Sequence, residues 1–76
     1  METFGSRIQR LRQARGLSRY AVSKATGLSQ MVLKHLEGMP SGQKVHGGTL
    51  QRLAKFYGLT IEELLDPLDD DDTQAA

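Results

Sequence analysis

The sequence predicts an all-α domain of five short helices, and three observations carry that prediction. Apolar residues recur at three- and four-residue spacing in five separate stretches, the period of a helix face packed on a core. Four of those stretches are preceded by Ser or Thr at the position where a hydroxyl accepts an orphan helical N–H: Thr3, Ser18, Ser29 and Thr60. No stretch shows the strict alternation of a half-buried strand.

The elements follow in order. Thr3 caps a first helix whose face is Phe4, Ile8 and Leu11, and Gly16 ends it. Arg7, Arg10, Arg12 and Arg15 fall mainly off that face. Ser18 caps a second helix over Arg19 to Thr26 that buries Val22 and Ala25, and Gly27 supplies the left-handed residue that stops it. Ser29 then caps a third helix over Gln30 to Glu37, with Leu33 and Leu36 on its inner stripe, Leu28 joining them from the turn, and Gln30, Met31, Lys34 and His35 on its outer face. Gly38 to Gly48 is rich in Gly and Pro, lacks an apolar period and reads as a surface loop. Beyond it Leu50, Leu53, Ala54 and Tyr57 form the face of a fourth helix ended by Gly58. Thr60 and Glu63 have capping-box spacing ahead of Leu64 and Leu65, which opens a fifth helix, and Pro67 closes it. The expected organisation is one domain over residues 1–67 followed by an acidic, disordered tail over 68–76, where four consecutive Asp leave almost nothing to bury.

Size and composition narrow the function. A chain of 76 residues buries only about 60% of its unfolded surface, which leaves little room for a substrate cavity. Cysteine is absent, so disulfides and thiolate metal sites are excluded. There is no apolar run long enough for a membrane span or a signal peptide, and the expected location is the cytoplasm. Gly42 to Thr49 imitates a phosphate-binding loop, but Gly48 stands where that loop needs lysine and no strand precedes it. His35 and His46 lie eleven residues apart without zinc-ligand spacing to a nearby Asp or Glu. No nucleophile, base and orienting acid assemble, so no catalytic, cofactor or metal site is expected.

Charge is the positive clue. Residues 1–60 hold all ten Lys and Arg against two acidic residues, a net of +8, whereas residues 61–76 hold seven acidic residues and no base. A compact unit this basic has the electrostatic footprint of a nucleic-acid partner. Two helices separated only by Gly27, Leu28 and Ser29 must cross steeply, which projects the second outward as a body that fits the major groove of double-stranded DNA. Gln30 can pair bidentately with adenine, Met31 offers apolar contact to a thymine methyl, and His35 can donate to guanine. Lys34, and Lys44 with His46 from the loop, are suited to backbone phosphates.

These residues resemble the phage-repressor-like Cro and Xre regulators. The resemblance spans about residues 4–65. It rests on Arg7-x-x-Arg10-Leu11-Arg12-x-x-x-Gly16-Leu17-Ser18, Gly27-Leu28-Ser29-Gln30, Leu33-x-x-Leu36-Glu37 and Leu50-x-x-Leu53-Ala54-x-x-x-Gly58-Leu59-Thr60-x-x-Glu63-Leu64. It implies a five-helix lambda-repressor-like DNA-binding domain with a helix-turn-helix, in which Gln30, Met31 and His35 read bases. It further implies that Arg19 and Ser29 touch phosphates, a set to which neighbouring Ser18 is added, and that Arg12 and Glu37 form a structural ion pair. Arg19 departs from the family pattern, which has a glutamine there that bridges phosphate to the reading helix; the expectation is that Arg19 keeps the phosphate and loses the bridge. The implied activity is that of a transcriptional regulator, most simply a repressor, acting as a homodimer on DNA. The rival reading is an antitoxin or adaptor on the same fold, with a protein partner engaged through the basic face or the acidic tail.

Overall fold

The computed structural model describes residues 2–65. The expected acidic tail, Pro67 as a helix stop and the far end of the domain lie outside them. Five helices follow one another: α1 Phe4–Ala14, α2 Arg19–Thr26, α3 Gln30–Glu37, α4 Gly47–Tyr57 and α5 Ile61–Leu65. Among the described residues there is no strand, and no helix is long and apolar enough to cross a membrane.

Local chemistry sets most of the ends. Thr3 and Ser6 form a reciprocal capping box, each hydroxyl accepting from the other residue's amide at 3.0 Å. The Ser18 hydroxyl accepts from the Ala21 amide at 3.0 Å, and that of Ser29 from the Val32 amide at 3.1 Å. Thr60 and Glu63 close a second box, at 2.9 and 3.0 Å. Gly27 and Gly58 end α2 and α4 in the left-handed region, at φ +82° and +72°.

Phe4, Ile8, Val22, Leu33, Leu36, Leu50, Leu53, Ala54, Tyr57 and Leu64 form one core to which every helix contributes. Two expectations need correcting. Ala25 is exposed, because Val22 alone on α2 points into the core and a methyl group gains too little from burial to turn the helix. The fourth helix begins at Gly47, so Gly47 and Gly48 belong to its first turn and not to the loop. Glycine disfavours a helix interior by about 1 kcal/mol, but burying the Leu50, Leu53 and Tyr57 face outweighs that.

Tyr57 gives the fold a pH dependence. Its ring is buried, meets Phe56 edge to face at a centroid distance of 4.9 Å and lies under the Arg15 guanidinium, 5.1 Å from its centroid. Burial, helped by the Glu37 carboxylate, raises the phenol above its ordinary 10.0, with Arg12 and Arg15 acting against the shift. A folded-state value above the unfolded one means that the contribution is whole below about pH 10 and is lost as pH rises through the folded value. Denaturant midpoints are expected to fall above about pH 10, and Tyr57→Phe to remove part of that fall. Equal slopes for the two proteins would contradict this.

Candidate nucleic-acid interface

The turn between α2 and α3 is braced by three hydrogen bonds. The Thr26 hydroxyl donates to the Val22 carbonyl at 2.8 Å and accepts from the Leu28 amide at 3.2 Å. From α4, Arg52 Nη1 donates to the Thr26 carbonyl at 3.2 Å. A cation at the last carbonyls of a helix complements its dipole, so α4 fixes the end of α2 and thereby the start of α3. Leu33 and Leu36 anchor α3 inward, which leaves Gln30, Met31, Lys34 and His35 exposed together on the opposite face. Met31 is 79% exposed, far more than core packing would allow a methionine.

Lys34 and His35 border an open groove of about 600 Å³ that also runs past Met31, Gly38, Met39 and Pro40. Its apolar floor and cationic edge suit a surface contact. Lys44 and His46 are exposed in the following segment, and no hydrogen bond or ion pair joins either to α3 among the described residues. His46 occupies the N-cap position of α4 without a side-chain hydrogen bond, so the first amides of that helix lack the hydroxyl partner that α1, α2 and α3 have. Ser18 and Ser29 spend an oxygen lone pair on their caps, and each keeps its O–H to donate to an anion.

Ion pairing separates structural cations from available ones. Arg7 and Arg10 meet Glu2, at 3.7 and 2.6 Å, and the Arg10 hydrogen bond holds the Glu2 carboxyl below its ordinary range. Arg15 donates to the Phe56 and Tyr57 carbonyls at the end of α4, at 3.3 and 2.9 Å. Lys24 lies over the Tyr20 ring, 5.7 Å from its centroid. Among the described residues Lys34, Lys44 and Lys55 have no ion pair. Lys55 carries no motif of its own, because it sits on the outer side of a helix whose sequence pattern marks only the buried face.

Glu37 is the hub behind this surface. Arg12 grips it at two points, Nε to Oε2 at 2.7 Å and Nη2 to Oε1 at 3.1 Å, while its Nη1 donates to the Leu17 carbonyl at 2.9 Å. The carboxylate keeps the Arg12 guanidinium pKa above its ordinary value. Arg19 Nε donates to Glu37 Oε1 at 3.0 Å. Arg19 is thus tied to the C-terminal end of α3, a contact that reading the sequence did not anticipate, because a guanidinium at the start of α2 can reach the Glu37 carboxylate there.

Comparison with curated proteins gives no match. A family profile described as a helix-turn-helix domain matches residues 3–68, a span that includes all five helices. With its braced three-residue turn and a polar helix face turned outward, the chain belongs to this helix-turn-helix domain family, and the domain is a DNA-binding one.

Proposed function

We propose that this protein is a sequence-specific regulator of transcription of the Cro and Xre kind, a repressor that occludes a promoter by laying α3 in the major groove. The observation that carries the reading is the outer face of α3, where an amide, a thioether, an ammonium and an imidazole stand exposed on a helix whose other side is core. Gln30 and Met31, in the first turn, and His35, one turn on, read base edges. Ser18, Arg19, Ser29, Lys34, Lys44 and His46 engage phosphates and set the register of the domain on the duplex. The uncapped start of α4 supports the assignment of the neighbouring His46, because the first amides of a helix favour an anion. One such small module gains modest specificity, so the working unit is a homodimer on two half-sites about one DNA turn apart.

Gln30→Ala tests the reading. On the preferred duplex, selected from a random pool, it is expected to cost about 1 to 3 kcal/mol of binding and much less on random DNA. The measurement is a pair of titrations at one fixed salt concentration. An equal loss on both duplexes would remove Gln30 from base reading.

A further inference from the structure

We infer that Glu37 is a positioning residue for DNA binding: by holding Arg19 through Nε, it presets the guanidinium as a clamp for one backbone phosphate. The inference rests on the DNA-binding reading above and deepens it. Three observations support it.

The first is the division of labour within the side chain. Arg19 uses Nε on Glu37, and among the described residues neither terminal nitrogen donates to protein. The Arg19 side chain is 37% exposed, whereas that of Glu37 is 6% exposed. The inner part of the guanidinium is thus anchored, and its outer fork remains open to a ligand. A planar group with several donors can do both at once; a lysine ammonium, a point charge, is drawn to one partner or the other.

The second is charge. A carboxylate beside a phosphate site repels the phosphate, and a simple Arg19 to Glu37 pair would be neutral. Here Arg12 already holds Glu37 at two points, so two guanidiniums share one carboxylate and the cluster keeps a net charge of +1.

The third is position. Arg19 is the first residue of α2, directly after its Ser18 cap. A cation there opposes the helix dipole, while an anion is attracted to it. Glu37 offsets the unfavourable placement in the free protein, and a phosphate would be drawn to both the helix end and the fork.

The test compares Arg19→Ala and Arg19→Lys with the unaltered chain on the preferred duplex and on random DNA, over a salt series, with thermal melting of each protein. Arg19→Ala is expected to weaken binding about ten-fold on both duplexes, and to reduce the slope of log affinity against log salt by about one unit. Arg19→Lys is expected to stay within about three-fold of Arg19→Ala despite its charge. Wild-type affinity in Arg19→Lys would overturn the clamp in favour of a diffuse charge. An unchanged salt slope in Arg19→Ala with a lowered melting temperature would reduce Arg19 to a brace of the fold. Absence of duplex binding by the unaltered chain would show before any variant is compared, and would remove the underlying reading together with the clamp.

Discussion

Glu37→Ala is expected to destabilise the domain by about 3 kcal/mol, the lower end of what breaking a buried ion pair costs, since Arg12 keeps some contact with water. The Arg12 side chain is 11% exposed and has Glu37 as its only carboxylate partner among the described residues. Removing that partner leaves a guanidinium nearly enclosed and uncompensated, and unties α1, α2 and α3 at one point. For a domain of this size the melting temperature is expected to fall by roughly 12 to 24 °C. The control is Arg12→Met combined with Glu37→Leu, which removes both charges and is expected to lose less than Glu37→Ala alone. A melting temperature for Glu37→Ala within about 4 °C of the unaltered protein would show that the cluster contributes little to folding.

Gly5→Val is expected to have an effect of comparable size for a different reason. Gly5 is buried where α1 crosses the end of α3, and a Cβ added there collides with the backbone carbonyls of Glu37 and Leu36. A flexible side chain could yield, but two carbonyls of a packed helix cannot, so α1 must lift away from α3. Its amide also donates to the Met39 carbonyl at 2.8 Å, which ties the start of α1 to the segment after α3. Overpacking of this kind costs about 3 kcal/mol at the upper end of its usual range, read as a lowered denaturant midpoint. Gly5→Ala is expected to fall between, as the gain in helix propensity of up to about 1 kcal/mol offsets part of the strain. A stabilised Gly5→Ala would mean that the two helices separate freely at this point.

These two residues also mark where sequence reasoning stops. The limits of α2 and α3 are legible because they depend on near neighbours: Ser18 and Ser29 accept amides three residues on, and Gly27 adopts a backbone open to few other residues. The core faces of α3 and α4 are legible for the same reason, since burial follows the helical period. Gly5 carries no such mark. Its need for a bare backbone is set by a helix end more than thirty residues away, and within its own stretch it reads as a weak helix former. The bridge from Arg19 to Glu37 spans eighteen positions and becomes visible only when α2 and α3 are docked. The start of α4 is not legible because Gly47 and Gly48 look like loop, while the packing that makes them helical comes from Leu50, Leu53, Ala54 and Tyr57 further along the helix. The Arg12 to Glu37 contact, implied by resemblance alone, is present as a two-point ion pair.

The candidate surface divides in the same way. Exposure of Gln30, Met31, Lys34 and His35 together follows from the inward pull of Leu33 and Leu36, which the sequence pattern shows. Which cations are already committed does not follow from it: Arg15 and Arg52 serve helix ends, and Arg7 and Arg10 serve Glu2. Three-dimensional placement thus narrows a general basic character to a few cations without a protein partner among the described residues.

Amide spectra of the protein during titration with its preferred duplex give the most direct test of α3 as the contacting surface. Resonances of residues 28–36 are expected to shift most, with those of Ser18 and Arg19 following and the exposed positions of α5 nearly still. If Gln30, Met31 and His35 stay unmoved while another surface responds, the placement of α3 in the groove is contradicted.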